Sequence, residues 1–134
     1  MKNTPIATIM TKDVVSVSPD QKILDIKHIY EKKNFHHHIP VIEAGNLVGI
    51  ISLVDFMYQI RGASLDDSDA VYTTLSAGDI MSSNPVTLGP ESSIEEAAEI
   101  FAGGRYRALP IVENKAVKGI VTTADIIRYL MQQE

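Results

Sequence analysis

The chain contains the same ordered pattern of residues twice, and this limits what it can fold into. Gly49-Ile50-Ile51-Ser52-Leu53-Val54-Asp55 recurs as Gly119-Ile120-Val121-Thr122-Thr123-Ala124-Asp125. Upstream, Ile9-Met10-Thr11 recurs as Ile80-Met81-Ser82, Val15-Ser16-Val17 as Val86-Thr87-Leu88, and Pro19-Asp20 as Pro90-Glu91, all at a shift of 71. One residue is lost near Gly103-Gly104. From there Leu109-Pro110-Ile111-Val112-Glu113 matches Ile39-Pro40-Val41-Ile42-Glu43 at a shift of 70. The copies span 1–61 and 72–134, with 62–71 as the linker between them. Fixed-period self-similarity marks a duplicated structural unit. A unit of about 60 residues is marginal by itself, so the two copies should share burial. Packing their sheets about a pseudo-two-fold axis would create two equivalent clefts, and ligands favour such places.

Each copy reads as α+β. Thr4-Pro5 and Ser18-Pro19 look like helix starts, with a capping hydroxyl followed by proline. Val14 to Val17 reads as a short strand. Ile23, Leu24, Ile26, Ile29 and Tyr30 recur at helical spacing. Ile39 to Ile42 and Leu47 to Ile51 flank Ala44-Gly45-Asn46 and predict a hairpin. Helical spacing returns over Leu53 to Arg61, and in the second copy over about Thr123 to Met131. The acidic run at Asp66, Asp67 and Asp69 lacks the spaced glycine and distal glutamate of a calcium loop, so it reads as a solvated linker.

Composition removes several function classes. There is no cysteine, hence no disulfide, thiolate metal site or thiol nucleophile. The formal charge of −5 opposes nucleic-acid backbone binding, though not a local anion site. The N-terminus lacks a signal-peptide apolar run, and no stretch approaches the ~18 apolar residues of a membrane span. A cytoplasmic protein is the expectation. No nucleophile elbow, phosphate-binding lysine loop or zincin helix is present, and an enzyme is not expected.

The repeated Ile-Met-Thr/Ser, the Ile/Leu-Pro-Val/Ile before each hairpin and the Gly-Ile-x-Ser/Thr-x-x-Asp after it resemble a tandem pair of CBS (cystathionine beta-synthase) domains over the whole chain. The resemblance implies two small three-stranded sheets with flanking helices. It implies a regulatory role through adenosine-containing ligands, and a homodimer formed through helices. It also implies control of an attached or associated protein that the sequence does not identify.

The residues suit such a ligand. A carboxylate accepts two hydrogen bonds in the geometry a ribose diol offers, which assigns Asp55 and Asp125 to ribose. Ser52 and Thr122, with helix-start amides, suit phosphate oxygens. Ile50, Ile120, Val41 and Ile111 could wall a purine. By resemblance the first-strand residues of the opposite repeat, Asp13 to Val15 and Asn84 to Val86, including Val15 and Val86, also help hold the base. Arg107 lies where the family often carries a basic residue and could bind phosphate bidentately. His37 matches Arg107, and His38 matches Ala108, so the two sites should differ in cationic strength. An alternative stays open, that Ser52-x-x-Asp55 and Thr122-x-x-Asp125 are helix capping boxes. The run His36-His37-His38 puts at most two ligands on one strand face, and no metal site is assigned unless a dimer axis joins two such pairs.

The expected function is therefore a regulatory module sensing AMP, ADP, ATP, S-adenosylmethionine or a related adenosyl ligand, with no required cofactor. The competing expectation is a dimeric scaffold whose clefts are vestigial. Neither nucleic acid nor membrane is an expected partner.

Overall fold

The computed structural model describes residues 3–33 and 36–133; Met1, Lys2, Asn34, Phe35 and Glu134 lie outside the described residues. The fold is α+β with antiparallel sheets. Two compact units form, and they do not coincide with the sequence copies. A central unit runs over Val15–Asn84, and a terminal unit combines Met1–Val14 with Pro85–Glu134.

In the central unit the elements are α1 (Ile23–Tyr30), β1 (His38–Glu43), β2 (Asn46–Ser52), α2 (Leu53–Gln59), α3 (Val71–Thr74), α4 (Ala77–Ile80) and β3 (Ser82–Ser83). The sheet order is β1-β2-β3. In the terminal unit a 3-10 turn (Ile6–Thr8) joins α5 (Ile94–Ala102), β4 (Ala108–Glu113), β5 (Ala116–Thr122) and α6 (Thr123–Met131). Both hairpins close through two residues at positive φ, Ala44-Gly45 and Asn114-Lys115, the backbone that two-residue hairpins need. Both carry the same register shift, after Val41 and after Ile111. The repeat in sequence is thus a repeat in irregularity too.

The units arise because each copy lends its opening segment to the other. Ile94 N–H donates to Thr4 O at 2.9 Å, and Ile23 N–H to Leu75 O at 2.9 Å. Ala7 N–H donates to Pro90 O at 3.2 Å, and Gly78 N–H to Pro19 O at 2.8 Å. Pro5 bridges Ser93, and Lys22 bridges Ser76. Thr4-Pro5 and Leu75-Ser76 therefore satisfy orphan amides at the start of a helix belonging to the other copy. They do not start a long helix of their own, and Pro5 precedes only the 3-10 turn. Ser18-Pro19 also differs from expectation. It forms a turn, with Gln21 N–H on Ser18 O at 3.2 Å, and α1 begins only after Lys22. In the second copy Ser93 caps α5 in a box with Glu96.

Val14 to Val17 is not a strand. Only Val17 joins the sheet, through Val17 N–H to Pro40 O at 3.1 Å and Ile42 N–H to Val17 O at 2.8 Å. Leu88 does the same against β4. The chain leaves after one residue because a proline, Pro19 or Pro90, follows two positions on with no N–H to continue the ladder.

The exchanged segments explain the glycine that opens each recurring motif. Thr11 pairs with Ile120 through bonds of 2.8 and 2.9 Å, and β3 pairs with β2 from Gly49 to Ile50. A Cβ on Gly119 would stand 2.7 Å from Thr11 O and 2.8 Å from Met10 Sδ. On Gly49 it would overlap the Met81 side chain and stand 3.0 Å from Ser82 O. Gly119→Ala should cost about 1–3 kcal/mol by overpacking, and Gly49→Ala less, since much of its obstruction is a flexible side chain. Urea midpoints at constant m-value measure both. Equal midpoints for wild type and Gly119→Ala would contradict the close approach.

Each unit has its own core. Ile23, Ile26, Ile39, Val41, Ile51 and Tyr72 are fully buried in the central unit, and Ile6, Ile94, Leu109, Ile111 and Val121 in the terminal one. Just after the segment read as a solvated linker stands Tyr72, whose hydroxyl donates back to Ser64 O within it at 2.7 Å. The carboxylates of that segment, exposed at Asp66 and Asp67 and half-buried at Asp69, are engaged. Asp66 accepts from Ser68 N–H at 2.8 Å, and Asp69 from Ser64 N–H at 3.0 Å. Lys27, 4% exposed, contacts Asp67 at 2.6 Å and Glu31 at 2.7 Å, with its ammonium 5.4 Å from the Tyr72 ring centroid. His28 Nε2 lies 2.8 Å from the second Asp67 oxygen. His28, Glu31 and Asp67 bring ligand-type atoms within 4.8 Å of one another, but the Lys27 ammonium already supplies the positive charge there.

This network sets an acid response. The Lys27 ammonium, and then His28, hold the Asp67 carboxyl below the ordinary 3.8, while Ser68 and Ser76 act likewise on Asp66 and Asp79. A depressed folded value stabilises above the ordinary one and is lost as pH falls through the folded value. Stability should thus fall below about pH 4, less steeply in Asp67→Asn. Lys27 is shifted up, chiefly by Asp67 and then Glu31, so its contribution holds below the ordinary 10.5 and is lost only in strong alkali. Denaturation curves between pH 3 and 7 test the acid limb. Parallel limbs in wild type and Asp67→Asn would refute it.

Candidate functional site

Each hairpin ends in a strand-to-helix corner. Paired residues on antiparallel strands share a face, and successive residues alternate. In the terminal unit Ala108 pairs with Thr122 and Pro110 with Ile120 on one face, while Leu109 pairs with Val121 on the core face. In the central unit His38-Ser52 and Pro40-Ile50 share one face, and Ile39-Ile51 the core face. Val41 and Ile111 lie on the core faces and are 0% exposed. The expectation that they wall a purine fails by alternation, because they have the parity of Ile39 and Leu109. Ile50 and Ile120 stand on the opposite face, beside Pro40 and Pro110.

The capping alternative is realised at both corners. Asp125 N–H donates to Thr122 Oγ1 at 3.2 Å, and Thr122 N–H to Asp125 Oδ2 at 2.9 Å. Asp55 N–H donates to Ser52 Oγ at 3.0 Å, and Ser52 N–H to Asp55 Oδ2 at 3.4 Å. A carboxylate offers about four lone-pair positions, so each box leaves acceptor capacity. Arg128 takes some of it at the second corner, with Nη1 3.2 Å from Asp125 Oδ1. The Asp125 side chain is 9% exposed, and that of Arg128 is 66% exposed. Asp55 is half-buried.

The chain before each first strand is tied to its corner. Thr123 N–H donates to Arg107 O at 3.0 Å, and Leu53 N–H to His37 O at 2.7 Å. The backbone of Arg107 thus meets the start of α6, that of His37 meets the start of α2, and His38 pairs with Ser52. Arg107 and His37 are exposed, whereas His38 shares the Ser52 face. Val15 and Val86 are 39% and 38% exposed. Val15 falls in the unit of Asp55 and Val86 in that of Asp125, whereas Asp13 and Val14 fall with Asp125, and Asn84 with Asp55.

Sequence reasoning missed two neighbours of these carboxylates. The Tyr30 hydroxyl donates to His37 O at 3.2 Å, and its ring packs on Phe56 with centroids 5.3 Å apart. Burial pushes the Tyr30 phenol above its ordinary value, and the Asp55 charge adds to this. The signal was the mismatch of Tyr30 with Phe101 in the second copy. The other is Arg128, which matches Tyr58, and its signal was the spacing of three from Asp125 along a helix.

Two like units, each a hairpin ending in a capped acidic corner, define a tandem α+β repeat module. The chain belongs to the CBS domain family, whose domain matches twice, over residues 6–62 and 77–132. It is similar to protein MJ1225 of Methanocaldococcus jannaschii, with 29% identity over 96% of this chain and 48% of that protein. The chain thus spans about half the length of that relative, and less of two others it matches. Its fold is that of CBSX2, solved in complex with AMP, at a TM-score of 0.82 and 23% identity over 98% of this chain and 99% of that one. It is equally that of the CBS domain pair of protein MJ0100, solved with 5-methylthioadenosine and S-adenosyl-L-methionine, at a TM-score of 0.79 and 23% identity over 98% of both chains.

Proposed function

We propose that the chain is a regulatory module that senses an adenosyl ligand, AMP, ADP, ATP or S-adenosylmethionine, at one or both acidic corners. The observation that carries this reading is the corner itself. A hydroxyl, a helix start and a carboxylate recur in both units on the strand face turned away from the core. Asp55 and Asp125 take the ribose, and Ser52, Thr122 and Arg107 the phosphate, with His37 and His38 weaker in that part. Ile50 and Ile120, with Val15 and Val86, serve the base. The adenosyl ligands of CBSX2 and the MJ0100 pair support this ligand class.

No catalytic step belongs to this reading. The output is a conformational or binding change passed to a regulated protein. A homodimer is part of the proposal. Val54, Met57 and Tyr58 on α2, and Ile127, Leu130 and Met131 on α6, are exposed apolar groups at helical spacing, suited to a second copy. Among the described residues no helix is long and apolar enough to cross a membrane, and a cytoplasmic location completes the proposal.

One observation favours a second reading, a scaffold with vestigial sites. Both carboxylates already serve as caps, and Asp125 holds Arg128 as well. Calorimetric titration of the purified protein with AMP, ATP and S-adenosylmethionine separates the two. Saturable binding to one or two sites per chain supports the sensor. Flat titrations, with a dimer intact by light scattering, select the scaffold.

A further inference from the structure

We infer that Arg128 makes the Asp125 corner selective for adenosyl ligands bearing a 5′-phosphate over uncharged ones; this rests on the sensing function proposed above. A diol approaching Asp125 meets a carboxylate whose Oδ1 already accepts from a guanidinium at 3.2 Å. A neutral nucleoside must share or displace that contact and offers Arg128 nothing in return. A nucleotide carries its own anion one sugar ring away. Arg128 uses one of its five donors on Asp125, and its exposed side chain is free to turn the planar fork to a phosphate. Arg107, whose carbonyl accepts from Thr123 N–H at the same helix start and whose side chain is exposed, is a second cation within the same segment of chain. Two permanent cations then serve one corner.

The first corner lacks the device. Tyr58 stands at the matching position and stacks on Arg61, whose guanidinium carbon lies 4.0 Å from the ring centroid. Among the described residues, the Asp55 carboxylate accepts the longer 3.4 Å bond from Ser52 N–H within its box. The residue a helical turn beyond each aspartate therefore adds to the difference that Arg107 and His37 already make in the charge of ligand the two corners favour.

The test uses the full chain in an Asp55→Ala background, so that the second corner alone is read, with AMP and adenosine as calorimetric probes. Arg128→Gln should weaken AMP about tenfold while adenosine binding holds or tightens. A second variant, Tyr58→Arg in an Asp125→Ala background, should raise the AMP-to-adenosine preference of the first corner. Melting curves establish that each variant is folded. Equal changes for AMP and adenosine in Arg128→Gln, or no change for AMP, overturn the assignment. Failure of the sensing function looks different: the Asp55→Ala parent and the wild type then bind neither probe, and the assignment falls with it.

Discussion

Tyr72→Ala lowers the free energy of unfolding by about 3–5 kcal/mol, the cost of removing a buried aromatic side chain. Against a typical total of about 5–15 kcal/mol this is a large share of the stability. Tyr72 is 0% exposed although it stands in a stretch whose composition reads as a connection. Its ring belongs to the buried cluster that holds Ile23, Ile26 and Ile51, and its hydroxyl satisfies Ser64 O. Removing it also strips the ring from beneath the Lys27 ammonium. Tyr72→Phe keeps the ring and loses one hydrogen bond, so it costs about 1 kcal/mol. Urea denaturation of the two variants gives the comparison. A Tyr72→Ala loss below 1 kcal/mol would place residues 62–74 outside the cooperative unit.

If the proposed ribose role holds, Asp125→Ala should lower AMP affinity at the second corner by about a hundredfold or more. Two charge-assisted bonds to a ribose diol contribute about 1.5–3 kcal/mol each, and 1.4 kcal/mol is a factor of ten. The same change removes the acceptor of Thr122 N–H and frees Arg128, so folding must be followed separately. Asp125→Asn is the control. It keeps the shape and a capping oxygen but loses the charge, and it should fall between wild type and alanine. Calorimetry of all three with AMP, in the Asp55→Ala background, isolates the corner. AMP binding undiminished in Asp125→Ala would remove the ribose role from this residue.

Much of the fold was legible because its signals are local. The hairpins, the helix over Thr123–Met131 and both capping boxes lie within windows of a few residues, where backbone geometry follows from side-chain type. The start at Thr4-Pro5, which opens a short 3-10 turn, and the misread start at Ser18-Pro19 were local signals too. A hydroxyl followed by proline specifies a turn as well as a helix start, and the orphan amides of α1 and α5 went to segments far away in sequence. At the sites, the hydroxyl-carboxylate pairs were legible from their recurrence. The core-facing side of Val41 and Ile111 was not, because it depends on which residue of β2 or β5 each one meets.

The sequence by itself determined that there are two like units, each with an acidic corner at the end of a hairpin. The tertiary structure decided which chain segments build each unit. Thr4-Pro5 and Leu75-Ser76 offer the same backbone groups to a helix start, and Ile9-Met10-Thr11 and Ile80-Met81-Ser82 offer the same edge to a hairpin. Chemistry that is identical in two places cannot specify its own partner. Only the path of the whole chain sends each opening segment to the other copy, against a glycine with room for it.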